Sequence, residues 1–271
     1  MKKIVYLFIF FVSNLSFSQL ILEEINLPKI INETSGLEYH DNHLITFNDS
    51  GNDPVLFYLN LKGEIIKTRN IQNIKNNDWE DITMDDEYLY VADMGNNYDT
   101  RNNLSIIKIP KNQNLNSFEL INFSYPEQKA FNYRKLSMFD AEGLISIDDY
   151  LLIFTKNRAN KITDIYRLPK TSGTYNAIKI GSLDTESIIT GADFDKNNNL
   201  LALTSTISFN EYYLLIIENF SIEKYDYNIK MHEIPVGKTQ VEGIKIIDSS
   251  TYWLSSEHEN KGNPKLYKIK I

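Results

Sequence analysis

The sequence contains no cysteine and is poor in glycine and proline. Its 271 residues include only 11 Gly and 7 Pro. The lack of cysteine excludes disulfide bonds, thiolate zinc sites, thiol nucleophiles and lipid attachment through an N-terminal cysteine. Because 42% of the residues are hydrophobic and only 24% are charged, the chain is neither disordered nor fibrous and can bury a full core.

Basic residues are also scarce, with 28 Lys and Arg against 36 Asp and Glu. Phosphate binding requires a basic face, so nucleic acid is not an expected partner. An acidic surface suits cations or basic ligands, although it can also serve only as a solvated exterior. The net negative charge therefore makes cations candidate ligands.

Long hydrophobic runs are confined to the N-terminus. Two lysines precede an apolar run over residues 4–12, and residues 16–18 place small side chains before Gln19. This pattern predicts a secretory signal peptide over residues 1–18. The alternative, a membrane anchor, would need roughly 20 apolar residues, and polar residues interrupt the run too early. We expect an exported protein, periplasmic or extracellular, with no stable membrane anchor.

Five short segments of the remaining chain resemble one another. Each has a small or acidic pair followed by alternating apolar residues, and they begin at Ser35-Gly36-Leu37, Glu80-Asp81-Ile82, Glu142-Gly143-Leu144, Gly191-Ala192-Asp193 and Glu242-Gly243-Ile244. Their spacing is close to the roughly 40 to 50 residues of a four-stranded propeller blade, with an insertion in the second unit. The abundance of aromatic residues, 12% of the chain, also favours strands.

The repeat predicts an all-β protein whose residues 19–271 form a single β-propeller domain of five four-stranded blades. The fifth unit has room for only three strands, so we expect the apolar segment at residues 20–27 to supply the fourth and close the ring. An open β-sandwich or a β-solenoid is the alternative fold. A six-bladed propeller would need another unit in the insertion at residues 112–136, which is too polar for one.

Equivalent positions of all blades converge at the ends of a propeller channel. The starts of the innermost strands carry Glu80, Asp81, Glu142, Asp193 and Glu242, and the ends of the second strands carry Asn48, Asp49, Asp93, Lys156, Arg158 and Glu257. Crowded carboxylates must take up protons, pair with Lys or Arg, or bind a cation. We therefore expect these side chains to form an acidic binding site at one end of the channel.

Calcium is the expected cofactor if a metal is bound, because it takes six to eight oxygen ligands in irregular geometry. The proposed ligands are Asn48, Asp49, Asp93 and Glu142, and the proposed contacts to a bound ligand are Trp79, Asp81, Lys156, Arg158, Asp193 and Glu257. Asp and Asn are also ordinary turn residues, and a Trp at this position can instead pack between blades. No zinc-binding histidine motif, nucleophile elbow or phosphate-binding glycine loop occurs.

Several of these motifs are similar to those of a family of exported bacterial propeller-repeat proteins that has no established activity. The resemblance covers most of the chain after residue 18 and rests on residues 48–54, 78–82, 92–97, 140–144 and 190–194. More distantly, the Glu-Gly repeats resemble gluconolactonase-like and phytase-esterase-like propellers. The resemblance to the gluconolactonase-like group implies a divalent cation bound in the channel. In this sequence Glu80, Glu142 and Glu242 are the residues that could hold such a cation.

The leading hypothesis is an exported, monomeric propeller that binds a small-molecule or protein ligand at an acidic, calcium-dependent channel mouth. One alternative is a metal-dependent hydrolase of a lactone, ester or phosphoester, with Glu80, Glu142 or Glu242 as general base and Lys156 or Arg158 stabilising an anion. The other alternative is a scaffold that binds proteins through its rim of loops. The sequence alone leaves catalysis undecided.

Overall fold

Short antiparallel strands make up nearly all of the regular structure. The computed structural model describes residues 20–112, 117–208, 211–224, 227–257 and 262–271. The predicted signal peptide lies outside these ranges. Within them, no helix is long and apolar enough to cross a membrane.

The described chain opens with strand β1 (Leu20–Asn26) and a 3-10 turn at Lys29–Ile31. Blade 1 then consists of β2 (Thr34–His40), β3 (His43–Asn48), β4 (Val55–Leu59) and β5 (Ile65–Asn70). Blade 2 begins with β6 (Trp79–Met84), β7 (Tyr88–Asp93), β8 (Leu104–Pro110) and β9 (Glu119–Ser124). Blade 3 consists of β10 (Ala141–Ile147), β11 (Tyr150–Thr155), β12 (Thr163–Pro169) and, after β13 (Gly173–Asn176), β14 (Ile178–Leu183).

The last two blades follow the same plan. Blade 4 consists of β15 (Ile188–Asp195), β16 (Leu200–Ser208), β17 (Glu211–Ile217) and β18 (Lys230–Ile234). Blade 5 consists of β19 (Val241–Ile246), β20 (Thr251–Ser256), β21 (Lys265–Lys270) and, at its outer edge, β1. The first strand of each blade contacts the first strand of the next, and β19 contacts β2, so the five blades surround a channel. The predicted five-bladed propeller is confirmed.

Strand β1 closes the ring as the sequence predicts. It pairs antiparallel with β21, from Leu20 opposite Lys270 to Asn26 opposite Lys265. Lys268 also forms an ion pair with Glu23 at 3.2 Å. A blade built from both ends of the chain leaves no open sheet edge at the seam.

The insertion in the second repeat forms the outer strand β9 and a loop over residues 125–140, and its described residues contain no additional blade. Blade 2 gains a fifth strand instead, because β13 leaves blade 3 and pairs in parallel with β9. The hydroxyl of Ser124 and the side-chain oxygen of Asn176, 3.1 Å apart, support this pairing. The sequence does not predict β13, since its partner lies about 50 residues earlier.

Apolar side chains pack into five clusters, one between each pair of neighbouring blades. Trp79 belongs to the cluster between blades 1 and 2, where its ring meets that of Phe47 edge to face at 5.5 Å. It is fully buried there. Of the two interpretations of Trp79, packing between blades is therefore the one the structure supports.

A β-bulge near the start of each innermost strand sets the register of the repeats. In β6 the pairing moves from Trp79 opposite Asp93 to Asp81 opposite Ala92, which leaves Glu80 as the extra residue. The extra residues of β10, β19 and β15 are Glu142, Glu242 and Thr190. The predicted alignment of the fourth repeat is thus wrong by one position, because Gly191 and not Ala192 occupies the place of Asp81.

Candidate metal centre

The three bulge glutamates face a cavity of about 250 Å³ at one end of the channel, here called the channel-mouth pocket. Glu80, Glu142 and Glu242 are each less than a tenth exposed. The pocket is lined by Glu33, Asp49, Ser50, Glu80, Asn97, Glu142, Lys156, Arg158, Gln240, Glu242 and Glu257. Carboxylate, amide and hydroxyl oxygens thus predominate around it.

The lining comes from a few equivalent positions in successive blades. One position lies two residues before the bulge and carries Glu33, Asp78, Asp140 and Gln240. Its carbonyl accepts a hydrogen bond from the backbone N–H of the residue that follows the second strand, at 2.8 Å in blade 1, 3.1 Å in blade 2, 2.7 Å in blade 3 and 2.9 Å in blade 5. The N–H donors of this repeated bond belong to Asp49, Met94, Lys156 and Glu257. The propeller geometry therefore brings Asp49, Lys156 and Glu257 to one rim of the pocket, whereas Met94 is buried in the core between blades 2 and 3.

Two groups of carboxylates are close enough to share a cation. Asp49, Asp78 and Glu80 form the first group, and Glu80, Asp140 and Glu142 form the second. Within each group, one oxygen of every residue lies within 4.8 Å of the others. Glu80 belongs to both and stands between them.

The second group is neutralised by basic side chains of the protein itself. The ammonium of Lys156 donates a hydrogen bond to Glu142, and the guanidinium of Arg158 donates one to Asp140. Arg158 also lies 3.8 Å from Glu142. Burial lowers the pKa of Lys156, but the combined attraction of Glu142, Glu242 and Asp140 outweighs it, so the net shift is upward. Lys156 is therefore a resident cation beside the bulge glutamates.

The first group has no comparable partner. Arg101 lies 3.9 Å from Asp78, but it forms a closer ion pair with Asp93 at 2.6 Å. Among the described residues, the carboxylate of Glu80 makes no hydrogen bond or ion pair, although Glu80 is only 4% exposed. A buried carboxylate without a donor or counter-ion is costly, so this group requires protons or an added cation.

The pKa values of the first group are shifted toward protonation. Burial, followed by repulsion from Asp78, raises the pKa of Asp49 to about 8. Burial and repulsion from Asp140 raise the pKa of Asp78 to about 6. Burial, together with the charge of Glu142, also holds the pKa of Glu80 well above its usual range. These carboxylates repel one another at neutral pH unless a cation lies among them.

A glycine makes the close approach of these carboxylates possible. A Cβ atom at Gly95 would lie 2.0 Å from an oxygen of Glu80 and 2.3 Å from an oxygen of Asp78. Any other residue here would fill the space beside the two carboxylates. Gly95 follows β7 in the loop that the sequence singled out, but its role is to leave room and not to coordinate.

The donor set fits a hard cation. Asp49, Asp78 and Glu80 supply carboxylate oxygens, and the hydroxyl of Ser50 forms a hydrogen bond with Asp78. These are oxygen ligands of the kind that calcium prefers. The pocket lining contains no histidine, and the chain has no cysteine, so a zinc-type ligand set is not available there. Asp49, Asp78 and Glu80 are the residues that would hold the ion, and the ion would neutralise their charge.

Glu242 and Glu257 form a second acidic edge of the pocket. Burial, then repulsion from Glu257, holds the pKa of Glu242 well above its usual range. Burial raises the pKa of Glu257 to about 7, against the lowering effect of a hydrogen bond from Gln240 at 2.5 Å. The pocket therefore carries more carboxylates than Lys156 and Arg158 can balance.

The structure brings together many of the residues that the sequence proposed for the site. Those that line the channel-mouth pocket are Asp49, Glu80, Glu142, Lys156, Arg158, Glu242 and Glu257. Two proposed metal ligands have other contacts. Asn48 donates a hydrogen bond to the carbonyl of Ile30 at 2.8 Å, and Asp93 accepts hydrogen bonds from Arg101 and Asn77 at 2.6 Å each. Both stabilise loops beside the pocket.

Asp81 lies deeper in the channel. Its carboxylate accepts hydrogen bonds from the backbone N–H groups of Ile82 and Leu144, both at 2.8 Å, and from Ala192 at 3.3 Å. These N–H groups belong to inner strands whose channel side has no neighbouring strand. The position equivalent to Asp81 is glycine in the other four blades, and Gly36 of blade 1 leaves the space that this side chain occupies, since a Cβ atom there would lie 2.7 Å from the Asp81 carboxylate.

Asp193 lies at the opposite end of the channel. There it accepts hydrogen bonds from Lys245 at 2.9 Å and from the N–H of Ile246 at 2.7 Å. Lys245 also contacts Glu38 at 2.5 Å. Asp193 was expected at the start of an innermost strand, but β15 begins at Ile188, and Asp193 is equivalent to Glu38 and Lys245 near the end of theirs.

Sequence reasoning missed Asp78 and Asp140 as site residues. Each lies two residues before a bulge glutamate, so the spacing Asp-x-Glu occurs twice and Gln-x-Glu once, at Gln240. Side chains two residues apart on a strand lie on the same face. This repeated spacing is the signal that would have found them.

Comparisons with known proteins support the fold and add no family. No protein-family model matches the chain, and no curated protein matches it. The PQQ-bound aldose sugar dehydrogenase from Streptomyces coelicolor is similar in structure, with a TM-score of 0.53, 8% sequence identity, and coverage of 93% of this chain and 98% of that one. A chain of the mitotic checkpoint complex (TM-score 0.42, 11% identity, 87% and 60% coverage) and U3-55K (0.43, 10%, 88% and 68%) are more distant. At such identities the likeness concerns the fold alone, which is that of a β-propeller.

Proposed function

We propose that the protein is an exported, monomeric binding protein whose channel-mouth pocket takes up a divalent cation of the calcium type. The observation that carries this proposal is the buried carboxylate group of Asp49, Asp78 and Glu80, which has no adequate counter-charge while the neighbouring group is balanced by Lys156 and Arg158. A cation there would replace repulsion by attraction in a site of low polarity.

Proton release provides a direct signature of such binding. Since the pKa of Asp49 is raised to about 8 and that of Asp78 to about 6, part of this group is protonated near neutral pH in the absence of metal. A cation must displace those protons, so its affinity should rise with pH. Calorimetry in buffers of different ionisation enthalpy would count the protons released.

The experiment is a thermal melt with and without calcium. At 100 times its dissociation constant, calcium should stabilise the native state by about 2.7 kcal/mol. Glu80→Gln removes one charge at nearly constant shape and should abolish most of this gain. Glu233→Gln, on the exposed outer strand of blade 4, is the matched control and should keep it. A wild-type melt that is identical in calcium and in chelator would overturn the proposal.

A second candidate function is metal-dependent hydrolysis of a lactone, ester or phosphoester. Two observations favour it: Lys156 and Arg158 line the same pocket as the free carboxylates, and Glu242 makes no hydrogen bond or ion pair among the described residues. Glu242 is thus better placed than Glu142 to act as a general base. Turnover of simple lactones and aryl esters that requires calcium and is lost in Glu242→Gln would favour the enzyme. Calcium binding without turnover would favour the binding protein.

A further inference from the structure

Two loops beside the channel-mouth pocket carry an exposed pair of stacked aromatic rings. The rings of Tyr98 and Tyr133 lie 4.9 Å apart with an angle of 21° between their planes. Tyr98 is 50% exposed and Tyr133 is 69% exposed, and Phe131 and Leu136 nearby are also exposed. A grouped set of exposed apolar side chains marks a binding surface more often than isolated ones do. Tyr98 and Tyr133 are called the tyrosine platform below.

The tyrosine platform is fixed to the pocket by hydrogen bonds. The N–H of Arg134 donates to the carbonyl of Tyr98 at 3.0 Å, which joins the two loops. Asn97, the residue before Tyr98, lines the pocket and accepts a hydrogen bond from Arg158 at 2.8 Å. The platform is therefore one residue, about 3.8 Å of backbone, from the pocket lining.

The base of the two loops is held by Asp140, which belongs to the second carboxylate group, and by Asp99. The N–H of Asn96 donates to Asp140 at 2.7 Å, and the carboxylate of Asp99 accepts from the N–H of Phe139 at 3.0 Å. The buried side chain of Gln128 donates to the carbonyl of Asp99 at 2.8 Å. Such a network holds the rings in place before any ligand arrives, which lowers the entropic cost of binding.

The charge around the platform differs from that of the pocket. Lys129 and Lys135 are exposed in the same loop, and among the described residues neither forms an ion pair. Arg134 contacts Asp99 at 3.3 Å but remains half exposed. These cations disfavour a positively charged ligand on the platform. They favour a ring that carries negative charge, while the electron-rich tyrosine faces attract the C–H groups of a non-aromatic ring.

We propose that the tyrosine platform binds a sugar ring of an acidic saccharide, a chain of uronic acid units, that extends from the channel mouth. The stacking on the tyrosines and the attraction to the lysines follow from the platform alone. The further contact, in which a carboxylate of the saccharide completes the coordination of the bound cation, rests on the proposed cation site. The ligand class is thus an anionic polyhydroxylated ring, bound through its apolar face on one side and its carboxylate on the other.

The test uses trigalacturonate as the acidic saccharide and cellotriose as its neutral counterpart, with the full processed protein in calorimetry. We expect trigalacturonate to bind in calcium and cellotriose to bind at least tenfold more weakly. Tyr133→Ala should weaken trigalacturonate binding about tenfold. Tyr175→Ala is the matched control, because Tyr175 lies on β13 at the outer edge of blade 2, and it should bind as the wild type does.

The outcomes separate this inference from the proposed cation site. If calcium binds alone but trigalacturonate does not, or if Tyr133→Ala binds it as well as the wild type, the saccharide inference is wrong and the cation site stands. If calcium does not bind but trigalacturonate does, with loss in Tyr133→Ala, the platform stands and the cation site fails. A concentration-dependent dimer that Tyr133→Ala abolishes would instead assign the platform to self-association and overturn the inference.

Discussion

Lys156 places an ammonium group beside the bulge glutamates, where it pairs with Glu142. Blade 3 supplies it from the position that carries Asp49 in blade 1 and Glu257 in blade 5. The residue at this repeated position therefore decides in which part of the pocket the negative charge of the carboxylates is neutralised. The free carboxylate group lies on the side of blades 1 and 2 because those blades offer no lysine at this position.

Replacing Lys156 by methionine tests this division of the pocket. The variant leaves Glu142 buried without its partner, so it should lose about 3 to 5 kcal/mol of stability in chelator. Calcium should restore much of that loss, because the pocket gains a second place for a cation. The matched control is Lys245→Met at the opposite end of the channel, which also orphans buried carboxylates. Melts of both variants are compared, and equal rescue by calcium would contradict the prediction.

The raised pKa values predict a definite dependence of stability on pH. Burial raises the pKa of Asp49 from 3.8 to about 8, so between these values the native state holds a proton that the unfolded chain has released. The contribution of Asp49 is therefore complete below about pH 4 and is lost as the pH rises through 8, and it amounts to a few kcal/mol. Melts in chelator at pH 5, 6.5 and 8 should show falling stability.

Asp49→Asn is the variant that isolates this group. It should flatten the decline between pH 5 and 8, since the amide cannot ionise. Calcium should also flatten the decline in the wild type, because the ion stabilises the charged form. A metal-free wild-type protein that becomes more stable over this range would show that the carboxylates are balanced in some other way.

At the scale of the element, sequence analysis predicted the blades better than their register. The alternating apolar residues and the glutamate repeats located all five innermost strands and the closing role of β1. The fourth repeat was placed one residue too late because Gly191 and Ala192 are both small, and the sequence does not reveal which residue the bulge leaves unpaired. Since side chains alternate along a strand, that single step assigned Asp193 to the wrong face of β15. Its position near the end of β15 (Ile188–Asp195) places it at the other end of the channel.

Strand β13 escaped prediction for a different physical reason. It is four residues long, contains Gly173 with a positive φ, and pairs with a strand of the previous blade and not with its neighbour in sequence. Asp78 and Asp140 were missed as site residues because the predicted repeat begins at the bulge position, two residues after each of them, although the spacing Asp-x-Glu recurs in the sequence.

Replacing β1 by a flexible segment tests the closure of the ring. A Gly-Ser substitution of residues 20–26 removes the ladder to β21 and should cost several kcal/mol, mostly from backbone hydrogen bonds, because most β1 side chains are exposed. The same substitution at residues 173–176 removes an edge strand that closes nothing and should cost less. Thermal melts rank the two variants. Equal midpoints would mean that β1 is dispensable for closure.

At the scale of the whole molecule, the two ends of the channel differ in their charge balance. The channel-mouth end has free carboxylates, whereas Lys245 balances Glu38 and Asp193 at the other end, which opens into a cavity of about 870 Å³. Asp81 lies between the two ends, against Gly36 of the neighbouring blade, where a Cβ atom would lie 2.7 Å from the Asp81 carboxylate. Under the proposed function, ligand binding occurs at the channel-mouth face, where two loops of blade 2 also place the tyrosine platform.

Export would place that face in a compartment where a weak calcium site is filled. Bound protons on Asp49 and Asp78 compete with the cation near neutral pH, so a dissociation constant near the 10⁻⁴ to 10⁻³ M typical of extracellular calcium modules is expected. The lysines and the apolar run at residues 2–12 predict removal of residues 1–18. Intact-mass measurement of the protein released by a secreting bacterial host should give a chain that begins at or near Gln19. A full-length chain retained with the membrane fraction would contradict export. A calcium dissociation constant below the micromolar range would contradict the expected weak site, because such an affinity suits a calcium-poor compartment.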